Sequence, residues 1–308
     1  VRMHCSDRKE DKIMVGKQER RYQRMITVVL ALISLIMVIP LVLLVVASFT
    51  SNNEIVLHGY SFFPKELSLE AYIWNERAQV FHAYGITILV TAIGTTIGVM
   101  MTLLYAYVLA HEKFPGKTFL AFYLFFTMLF NGGLVPTYIM YTRYLHMKNT
   151  IPALIIPGLL MSAFNVILTR TYIQSNVPAA LSEAAKIDGA TEFQVFRKVV
   201  LPMCKPIIAT VGLFAGLGYW NDWTNGLYYI TDTNKFSIQQ LLNNMIKNIE
   251  FLSKNANSNI NLASVGGGIP QETVRMAIAI VGLLPILIVF PFVQKYFVKG
   301  ISIGAVKG

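Results

Sequence analysis

Six long stretches of this chain contain no charged residue, and this feature constrains the fold more than any other. A single charge at the centre of a bilayer costs about 2.5–3.5 kcal/mol on insertion scales, and about 18 apolar residues suffice to cross the hydrocarbon. We therefore predict six transmembrane helices. The charge-free stretches are Met25 to Phe49, Ala83 to Ala110, Thr118 to Thr142, Asn149 to Thr169, Pro206 to Asn221 and Met276 to Gln294.

The composition excludes the main alternatives to a membrane protein. Apolar residues make up 55% of the chain and charged residues 14%, against roughly 25% charged residues in soluble proteins. This is too little charge for a soluble surface and too many apolar residues for a disordered chain. The two cysteines, Cys5 and Cys204, exclude a disulfide framework and a four-thiolate zinc site. The fold class is therefore an all-α polytopic membrane protein.

The distribution of lysine and arginine predicts the orientation. Eighteen of the 26 basic residues lie before the first span, in the second-to-third and fourth-to-fifth connections, or after the sixth span. Basic loops stay in the cytoplasm, so both termini are predicted to be cytoplasmic. The net charge of +10 is thereby explained without nucleic acid.

Two pairs of glycines have the spacing at which membrane helices approach closely. Gly94 and Gly98 form one G-x-x-x-G pair in the second span, and Gly212 and Gly216 form another in the fifth. Packing within one chain and packing against a second membrane subunit both fit this pattern.

The connection between the fourth and fifth spans has the pattern of two short helices. Pro178 suits the first turn of a helix and Gly189 its left-handed end. Thr191 and Gln194 then form a predicted capping box for a second helix, which ends at Leu201-Pro202. Ala180 and Ala184 lie one turn apart beside Glu183, and this face suits a protein partner; a surface helix without a partner is the alternative.

The same connection carries a motif of fixed spacing. Glu183-Ala184-Ala185 is followed by Gly189 and then by Val199-Val200-Leu201-Pro202. This resembles the E-A-A-x-x-x-G-x9-I-x-L-P coupling motif of ABC importer permeases, with valine for the usual isoleucine. Other stretches resemble the carbohydrate-uptake, maltose-permease-like branch and its complex-oligosaccharide permeases. They are Asp188-Gly189-Ala190, Trp220 to Trp223, Asn131 to Pro136, Asn149 to Pro152 and Gly304 to Gly308.

The resemblance implies a fold, partners and a location. The fold is that of a type I ABC importer permease in the cytoplasmic membrane of a bacterium. The partners are a second homologous permease subunit, two nucleotide-binding ATPase subunits, an extracellular solute-binding protein and membrane lipid. This chain would bind no cofactor, since ATP and Mg would bind to the ATPase subunits. The substrate would be an oligosaccharide, and acidic pectin- or alginate-derived sugars and neutral sugars both stay open.

The resemblance also implies roles for individual residues. Glu183 would make the polar contact with the ATPase subunit, Ala184 and Ala185 would pack closely there, and Gly189 would form the turn. Asp188, Leu201 and Pro202 complete the motif. The predicted organisation is a basic cytoplasmic segment 1–24, a first helix 25–49, a permease domain 80–296 and a cytoplasmic tail 297–308. The permease domain contains the coupling loop 175–202 and an external loop 224–273.

The predicted outer face carries the candidates for a substrate pathway. Trp220, Asn221, Asp222 and Trp223 lie at the outer end of the fifth span, and Asn165 lies within the fourth. Aromatic rings there either anchor the chain at the membrane interface or stack on sugars. In the external loop, Ser237 and Gln240 predict a capped amphipathic helix. This helix is a lid on neighbouring helices, a contact for the solute-binding protein, or both.

The sequence contains no nucleotide-binding or catalytic motif. It has neither a G-x-x-x-x-G-K-[ST] loop nor H-E-x-x-H, so we expect no catalytic residue and no metal site. Gly300 to Gly304 fits G-x-S-x-G, but four residues follow and no downstream histidine exists. The alternative function is a secondary transporter, which should show ionisable residues inside its spans and internal repeats. We find neither.

Overall fold

The computed structural model describes residues 17–72, 77–111, 114–255 and 272–305, which are mostly helical. Within these ranges no strand occurs, and the one isolated bridge joins Thr50 and Leu67. The helices are α1 (Lys17–Ser48), α2 (Asn52–His58), α3 (Arg77–Ala110), α4 (Lys117–Leu129), α5 (Leu134–Ile139), α6 (Pro152–Ile155), α7 (Ala163–Asn176), α8 (Ala179–Ile187), α9 (Glu192–Val195), α10 (Leu201–Met203), α11 (Lys205–Trp220), α12 (Thr224–Tyr229), α13 (Ile238–Asn255) and α14 (Glu272–Ala305). Short π-helical turns cover Met140–Tyr144 and Phe196–Val200, and 3-10 turns cover Glu70–Tyr72 and Thr233–Lys235.

The chain divides into two compact units, of which the first comprises residues 1–73 and 270–280. Its α1 leaves apolar side chains uncovered, with Leu30 57% and Ile36 63% exposed. Such a surface suits a helix in contact with lipid. At the end of α1, the Tyr72 hydroxyl donates to Ser48 Oγ at 2.8 Å, which ties the following segment to the helix.

The second unit comprises residues 74–269 and 281–308 and is built around α3, which packs against α11 and α7. The predicted glycines lie at these contacts. A Cβ at Gly94 would overlap the Tyr219 ring, and one at Gly98 would lie 2.7 Å from the Leu160 carbonyl oxygen. From α11, Gly216 faces Thr95 of α3. These glycines are therefore used for packing within the chain.

A buried apolar cluster joins the C-terminal part of α3, α4, α7 and the N-terminal part of α11 to the connection between α7 and α11. Each fully buried aliphatic side chain contributes about 1.5–3 kcal/mol relative to its exposed state. The cluster consists of Leu103, Ala106, Leu109, Leu124, Val166, Ile173, Val195, Phe196, Val200, Cys204, Ile207 and Val211.

Two helices in the described part of the chain are each long and apolar enough to cross a membrane, over Arg21–Ser48 and Ala78–Ala110. Two further pairs pass the same test only if a sharp bend is allowed. They are Lys117–Leu129 with Leu134–Tyr144, bent by 114°, and Glu192–Met203 with Lys205–Trp220, bent by 82°. Length and composition thus support two to four spans, and the count of six stays a prediction.

The predicted third span is broken between α4 and α5. Gly133 has φ 82°, a left-handed value that glycine adopts without strain. Its N–H donates to Asn131 Oδ1 at 2.9 Å, which closes a tight turn. The Asn131-Gly-Gly-Leu-Val-Pro136 stretch is therefore the corner between the two helices.

The predicted fourth span, Asn149 to Thr169, is also interrupted, because residues 156–162 separate α6 from α7. Pro157 supplies no N–H for a helix, and Gly158 has φ 72°. Two carbonyl groups at the break are bonded by side chains from elsewhere in the chain. Tyr219 Oη donates to the Ile155 oxygen and Asn225 Nδ2 to the Pro157 oxygen, each at 2.9 Å.

Asn149 joins the start of this region to the segment after α12. Its side-chain oxygen accepts from the N–H groups of Thr231 at 2.6 Å and Asp232 at 3.1 Å. Its own N–H donates to the Tyr229 oxygen at 2.9 Å, and its carbonyl accepts from Lys235 Nζ at 2.9 Å. The Asn149-Thr-Ile-Pro152 stretch thus anchors a loop before α6 begins.

The amphipathic helix predicted in the external loop is α13. Its predicted apolar face is buried at Ile238, Leu241 and Leu242. The capping box forms only in part. Gln240 N–H donates to Ser237 Oγ at 3.3 Å, but the Gln240 side chain donates to the Ile230 oxygen at 3.2 Å. Since α13 packs against α3 and α12, its described part fits the lid interpretation.

Several predictions fall on residues outside the described ranges. These are the basic segment up to residue 16, the asparagine- and glycine-rich part of the external loop at 256–271, and residues 306–308. The division of the chain into 1–24, 25–49, 80–296 and 297–308 stays a prediction.

The glycine contacts generate a test with an internal control. Gly98→Ala would place a methyl group against a backbone oxygen, whereas Gly212→Ala meets its nearest atom, Val99 Cγ2, at 3.9 Å. Both sites are helical, so alanine gains up to about 1 kcal/mol of helix propensity at each. Overpacking costs about 1–3 kcal/mol. We expect Gly98→Ala to lower the melting temperature of the protein in detergent and Gly212→Ala to preserve or raise it; equal melting temperatures would contradict the packing.

Candidate functional site

The first helix of the predicted coupling loop is α8, and glycine ends it as the sequence predicted. Gly189 has φ 84°, so the chain reverses there in the left-handed conformation. The Ala190 N–H donates to the Ala185 oxygen at 2.9 Å, and Asp188 N–H donates to the Ala184 oxygen at 3.0 Å. Pro178 lies one residue earlier than predicted, as the cap before α8, because its ψ of 128° is extended.

The second helix of the loop begins with the predicted capping box. Thr191 N–H donates to Gln194 Oε1 at 2.8 Å, and Gln194 N–H donates to Thr191 Oγ1 at 3.3 Å. Both bonds of the motif are therefore present, and they fix the direction in which the chain leaves the Gly189 turn.

The end of the motif forms the corner between the loop and α11. The π-helical turn Phe196–Val200 precedes Pro202, whose missing N–H interrupts the regular helical ladder. Leu201 packs against the buried cluster, whereas Pro202 is exposed. The chain then turns by 82° into α11. Leu201, by its packing, and Pro202, by interrupting the helix, thus determine the course of the chain at this corner.

One face of α8 is exposed along its whole length. It carries Ala180, Glu183, Ala184 and Ile187, which follow helical spacing. Ile187 is 86% exposed. Glu183 makes no hydrogen bond or ion pair with any residue of the described chain. This face combines a free carboxylate, two small side chains and an exposed apolar one.

Ala185 lies on the opposite side of α8 from this exposed face. It is half-buried and packs against the chain's own buried cluster. The structure therefore separates the two alanines that the motif places together. Ala184 lies on the exposed face, where a partner can reach it, and Ala185 packs α8 against the buried cluster.

Glu192 ties α8 to α9 and to the end of α3. Its carboxylate lies 2.5 Å from Lys186 Nζ and accepts from Tyr107 Oη at 2.9 Å; His111 Nε2 lies 3.9 Å away. The hydrogen bond from Lys186 is the main cause that lowers the pKa of Glu192 below its ordinary value. The carboxylate is therefore ionised at neutral pH, and the loop is cross-linked at this point.

Asp222 lies beyond the end of α11 and is used by the backbone. Its Oδ1 accepts from the N–H groups of Thr224 at 3.1 Å and Asn225 at 3.2 Å, at the start of α12. Burial raises the pKa of Asp222, against the opposing effect of these hydrogen bonds. Its carboxylate thus has a structural role in holding α12.

The other predicted outer residues divide into a partly buried one and two exposed ones. Trp220 Nε1 donates to the Gly282 oxygen at 3.4 Å, and its ring lies 6.3 Å from that of Tyr84. Asn221 is exposed, and Trp223 is 42% exposed with Lys247 Nζ 5.7 Å from its ring centroid. Asn221 and Trp223 are therefore the two of these four residues that face outward on this chain.

Asn165 lies apart from that group, in the first turn of α7. It is 8% exposed and lines a cavity of about 320 Å³ between α3, the α6–α7 break and α11. None of Trp220, Asn221, Asp222 and Trp223 lines this cavity. The structure thus does not bring the five predicted pathway residues together.

Comparison with known proteins decides the family. Residues 13–303 match the binding-protein-dependent transport system inner membrane component family. The chain belongs to this family.

Individual relatives agree with this assignment. This permease is 34% identical to the polygalacturonan/rhamnogalacturonan transport system permease protein YtcP of Bacillus subtilis over 94% of this chain and 100% of that protein. It is 35% identical to protein LplC of the same organism, over 89% of this chain and 90% of the relative. A crystal structure of a bacterial ABC transporter that imports the acidic polysaccharide alginate contains a chain with a TM-score of 0.75 and 28% identity, covering 92% of this permease and 98% of that chain. The fold is therefore that of a type I permease.

Sequence reasoning missed two features of the loop in this permease. Ile187 follows Ala184 by three residues, and this spacing could have placed it on the exposed face. The link from Glu192 to Tyr107 joins residues 85 positions apart, so local patterns carry no signal for it.

The Glu192 contacts generate a prediction about the loop. Glu192→Gln removes the ion pair with Lys186, an exposed interaction worth about 0.2–1 kcal/mol. We expect faster hydrogen exchange of the α8 amides at neutral pH. Because the pKa of Glu192 is lowered in the folded state, its contribution to stability is present above the ordinary carboxyl pKa and is lost as pH falls through the lowered one.

The control for this prediction is Tyr107→Phe, which removes the hydroxyl and leaves the ion pair. On acidification the protection factors of the α8 amides in the wild-type protein should become those of Glu192→Gln, and the protection factors of Glu192→Gln itself should show no further step. If the α8 amides of Glu192→Gln are protected like those of the wild type at every pH, Glu192 does not hold the loop.

Proposed function

We propose that this permease imports an oligosaccharide with acidic sugar units, and that ATP hydrolysis in partner subunits drives it through the coupling loop. The observation that carries the proposal is the exposed face of α8 with its unpaired Glu183. The loop has the capping box at Thr191, reverses direction at Gly189 and is held by the ion pair and hydrogen bond of Glu192. These contacts give it the rigidity that a docking element needs.

The chemistry of the α8 face describes the site it would enter. Ala180 and Ala184 allow another backbone to approach closely, Ile187 suits an apolar pocket, and Glu183 suits a cationic or N–H donor. A helix of nine residues is about 13 Å long, so the face suits a cleft on one ATPase subunit. Asp188, at the end of α8, and the shaped corner at Leu201 and Pro202 complete the docking element.

The substrate class is supported by two relatives of different kinds. YtcP is named for polygalacturonan and rhamnogalacturonan transport, and the structural relative belongs to an alginate importer. Both substrates carry carboxylates. Among the predicted pathway residues, Asn165 faces a cavity and Asn221 and Trp223 are exposed, so these three are the ones we propose to meet sugar.

We propose six spans with both termini in the cytoplasm, supported by the six charge-free stretches and the asymmetry of lysine and arginine. The bent segments would be spans whose irregular backbone is covered by protein, as a bilayer requires. In this arrangement 175–202 is cytoplasmic and 224–273 is external, within a permease domain of 80–296.

The proposed transporter contains a second permease subunit, two ATPase subunits and an extracellular solute-binding protein. ATP and Mg would bind to the ATPase subunits, and this chain would be non-catalytic and bind no cofactor or nucleic acid. The solute-binding protein delivers the sugar to the outer mouth, and closure of the ATPase pair drives the alternation of access. Membership in a binding-protein-dependent family leaves the secondary-transporter alternative without support.

The composition of the complex can be measured directly. We expect this chain, co-expressed with the neighbouring transporter genes and weighed intact in mild detergent, to be found with one different permease chain and two ATPase chains. Recovery of this chain alone, or only as its homodimer, would remove the basis for a coupling role of α8.

Removal of the free carboxylate on α8 tests the coupling proposal. In proteoliposomes that contain the whole complex, we expect Glu183→Ala to reduce sugar-stimulated ATP hydrolysis and uptake about tenfold or more. A hydrogen bond to a charged group contributes about 1.5–3 kcal/mol, and 1.4 kcal/mol corresponds to tenfold. Folding and membrane insertion of this chain should be unchanged, because Glu183 makes no hydrogen bond or ion pair with the described residues.

The matched control is Glu66→Ala, which removes another exposed carboxylate, outside the coupling loop. It should leave uptake and ATP hydrolysis unchanged. Wild-type rates in Glu183→Ala would show that this carboxylate does not couple the permease to an ATPase.

A further inference from the structure

We propose that the cavity at the α6–α7 break binds a carboxylate group of the transported sugar. This inference rests on the proposed import function, and it assigns the acid-recognising site to this chain. The cavity has a volume of about 320 Å³, which is within the range of small-ligand sites. It is lined by residues of α3, of the break and first turn of α7, and of α11.

Two buried polar side chains line the cavity without a hydrogen-bond partner in the described chain. Asn165 is 8% exposed and Thr102 is 2% exposed. The polar atoms of these two side chains are not sealed inside the protein, because they are accessible from the cavity, and a polar group in the cavity can bond them. The two side chains approach the cavity from different helices, so a ligand placed between them would satisfy both.

The N-terminus of α7 supplies further donors at the same place. Ser162 precedes the helix without a side-chain cap. The backbone N–H groups of Ala163, Phe164 and Asn165 have no acceptor among the described residues, and the first bond of the helix is from Val166 N–H to the Ser162 oxygen at 3.1 Å. Ser162, Phe164 and Asn165 all line the cavity.

These donors favour a negatively charged ligand group. Free N–H groups and the helix dipole make a helix N-terminus an anion site. Transporters use the ends of broken helices in this way for the carboxylates of their substrates. Among the described residues, no acidic side chain lines the cavity to repel an anion, and no basic one lines it to bind the anion instead. The carboxylate of a uronate unit is the group of the proposed substrate that matches this site.

The shape of the cavity depends on a contact already described. Gly98 lines it and touches the Leu160 carbonyl oxygen, which lies in the break. This contact holds the segment before α7 in an irregular course and leaves the helix N-terminus open. The site is therefore part of the packing of α3 and is built before any ligand arrives.

The experiment compares an acidic sugar with its neutral counterpart. Uptake of trigalacturonate and of carboxyl-reduced trigalacturonate is measured in proteoliposomes that contain the complete transporter. We expect Asn165→Asp to lower uptake of the acid about tenfold or more, since like charges brought together cost several kcal/mol and 1.4 kcal/mol corresponds to tenfold. Uptake of the neutral sugar should change by less than about twofold, which is well below the tenfold change that corresponds to 1.4 kcal/mol.

A second variant and a control keep the test decisive. Thr102→Val keeps the shape of the side chain and removes the hydroxyl, so it should lower uptake of the acid more than that of the neutral sugar. If Asn165→Asp does not assemble, Thr102→Val provides the test. The control is Thr171→Ala. Thr171 lies on α7, the helix of Asn165, but outside the cavity, and its exposed hydroxyl donates to the Ile167 oxygen. This variant should transport both sugars normally.

The outcomes separate this inference from the proposed function. If the wild-type complex transports the acid and the variants lower both sugars equally, or neither, the cavity does not recognise a carboxylate while the import function stands. If the wild-type complex transports neither sugar and neither stimulates ATP hydrolysis, the proposed function itself fails. Transport of the neutral sugar alone by the wild type would also overturn the carboxylate assignment.

Discussion

The close approach of α3 to α11 and to the α6–α7 break is the contact on which the rest of the second unit depends. Tyr219 shows why. Its ring lies where a side chain at Gly94 would otherwise be, and its hydroxyl bonds the Ile155 carbonyl at the start of the break. One turn along α3, Gly98 admits the Leu160 carbonyl. Two glycines thus allow an irregular segment to lie directly on a helix.

This arrangement answers the requirement that a bilayer imposes on irregular backbone. In hydrocarbon, freed N–H and C=O groups must be bonded by protein or lie at a water-filled cavity. Here the carbonyl groups of Ile155 and Pro157 are bonded by Tyr219 and Asn225. The N–H groups of the first turn of α7 have no such partner among the described residues, and Phe164 and Asn165 of this turn line the cavity. The unsatisfied end of the break therefore lies at a cavity that a polar ligand can enter.

The coupling loop was largely predictable from the sequence because its signals are local. The left-handed Gly189 and the two bonds between Thr191 and Gln194 depend on residues within one turn of each other, and both predictions are confirmed. The family was also predictable, since the motif from Glu183 to Pro202 has a fixed spacing. Family and fold are confirmed by the comparisons.

The broken spans and the cavity were not predictable in the same way. Absence of charge reports that a segment is apolar and says nothing of whether its helix continues. Pro157-Gly158 and Gly132-Gly133 are local signals of a break, but glycine and proline are also tolerated within membrane helices. The bonds that settle the matter, such as that from Asn225 to the Pro157 carbonyl, join residues 68 positions apart. The grouping of Asn165 with Thr102 likewise depends on tertiary packing.

Two helices, α7 and α3, connect the cavity to the coupling loop. The first turn of α7 carries Asn165 at the cavity, and two residues separate the end of α7 from α8. The 14 residues of α7 span about 21 Å. The helix α3 carries Thr102 at the same cavity and Tyr107, which bonds Glu192 of the loop. Both helices therefore contact the cavity and the loop at once. A force on α8 would act on α7 through the short Val177-Pro178 connection and on α3 through Glu192, so that it would reach both of the unpaired polar side chains. If the loop moves as the proposed function requires, these two helices are rigid connections through which that movement would change the cavity.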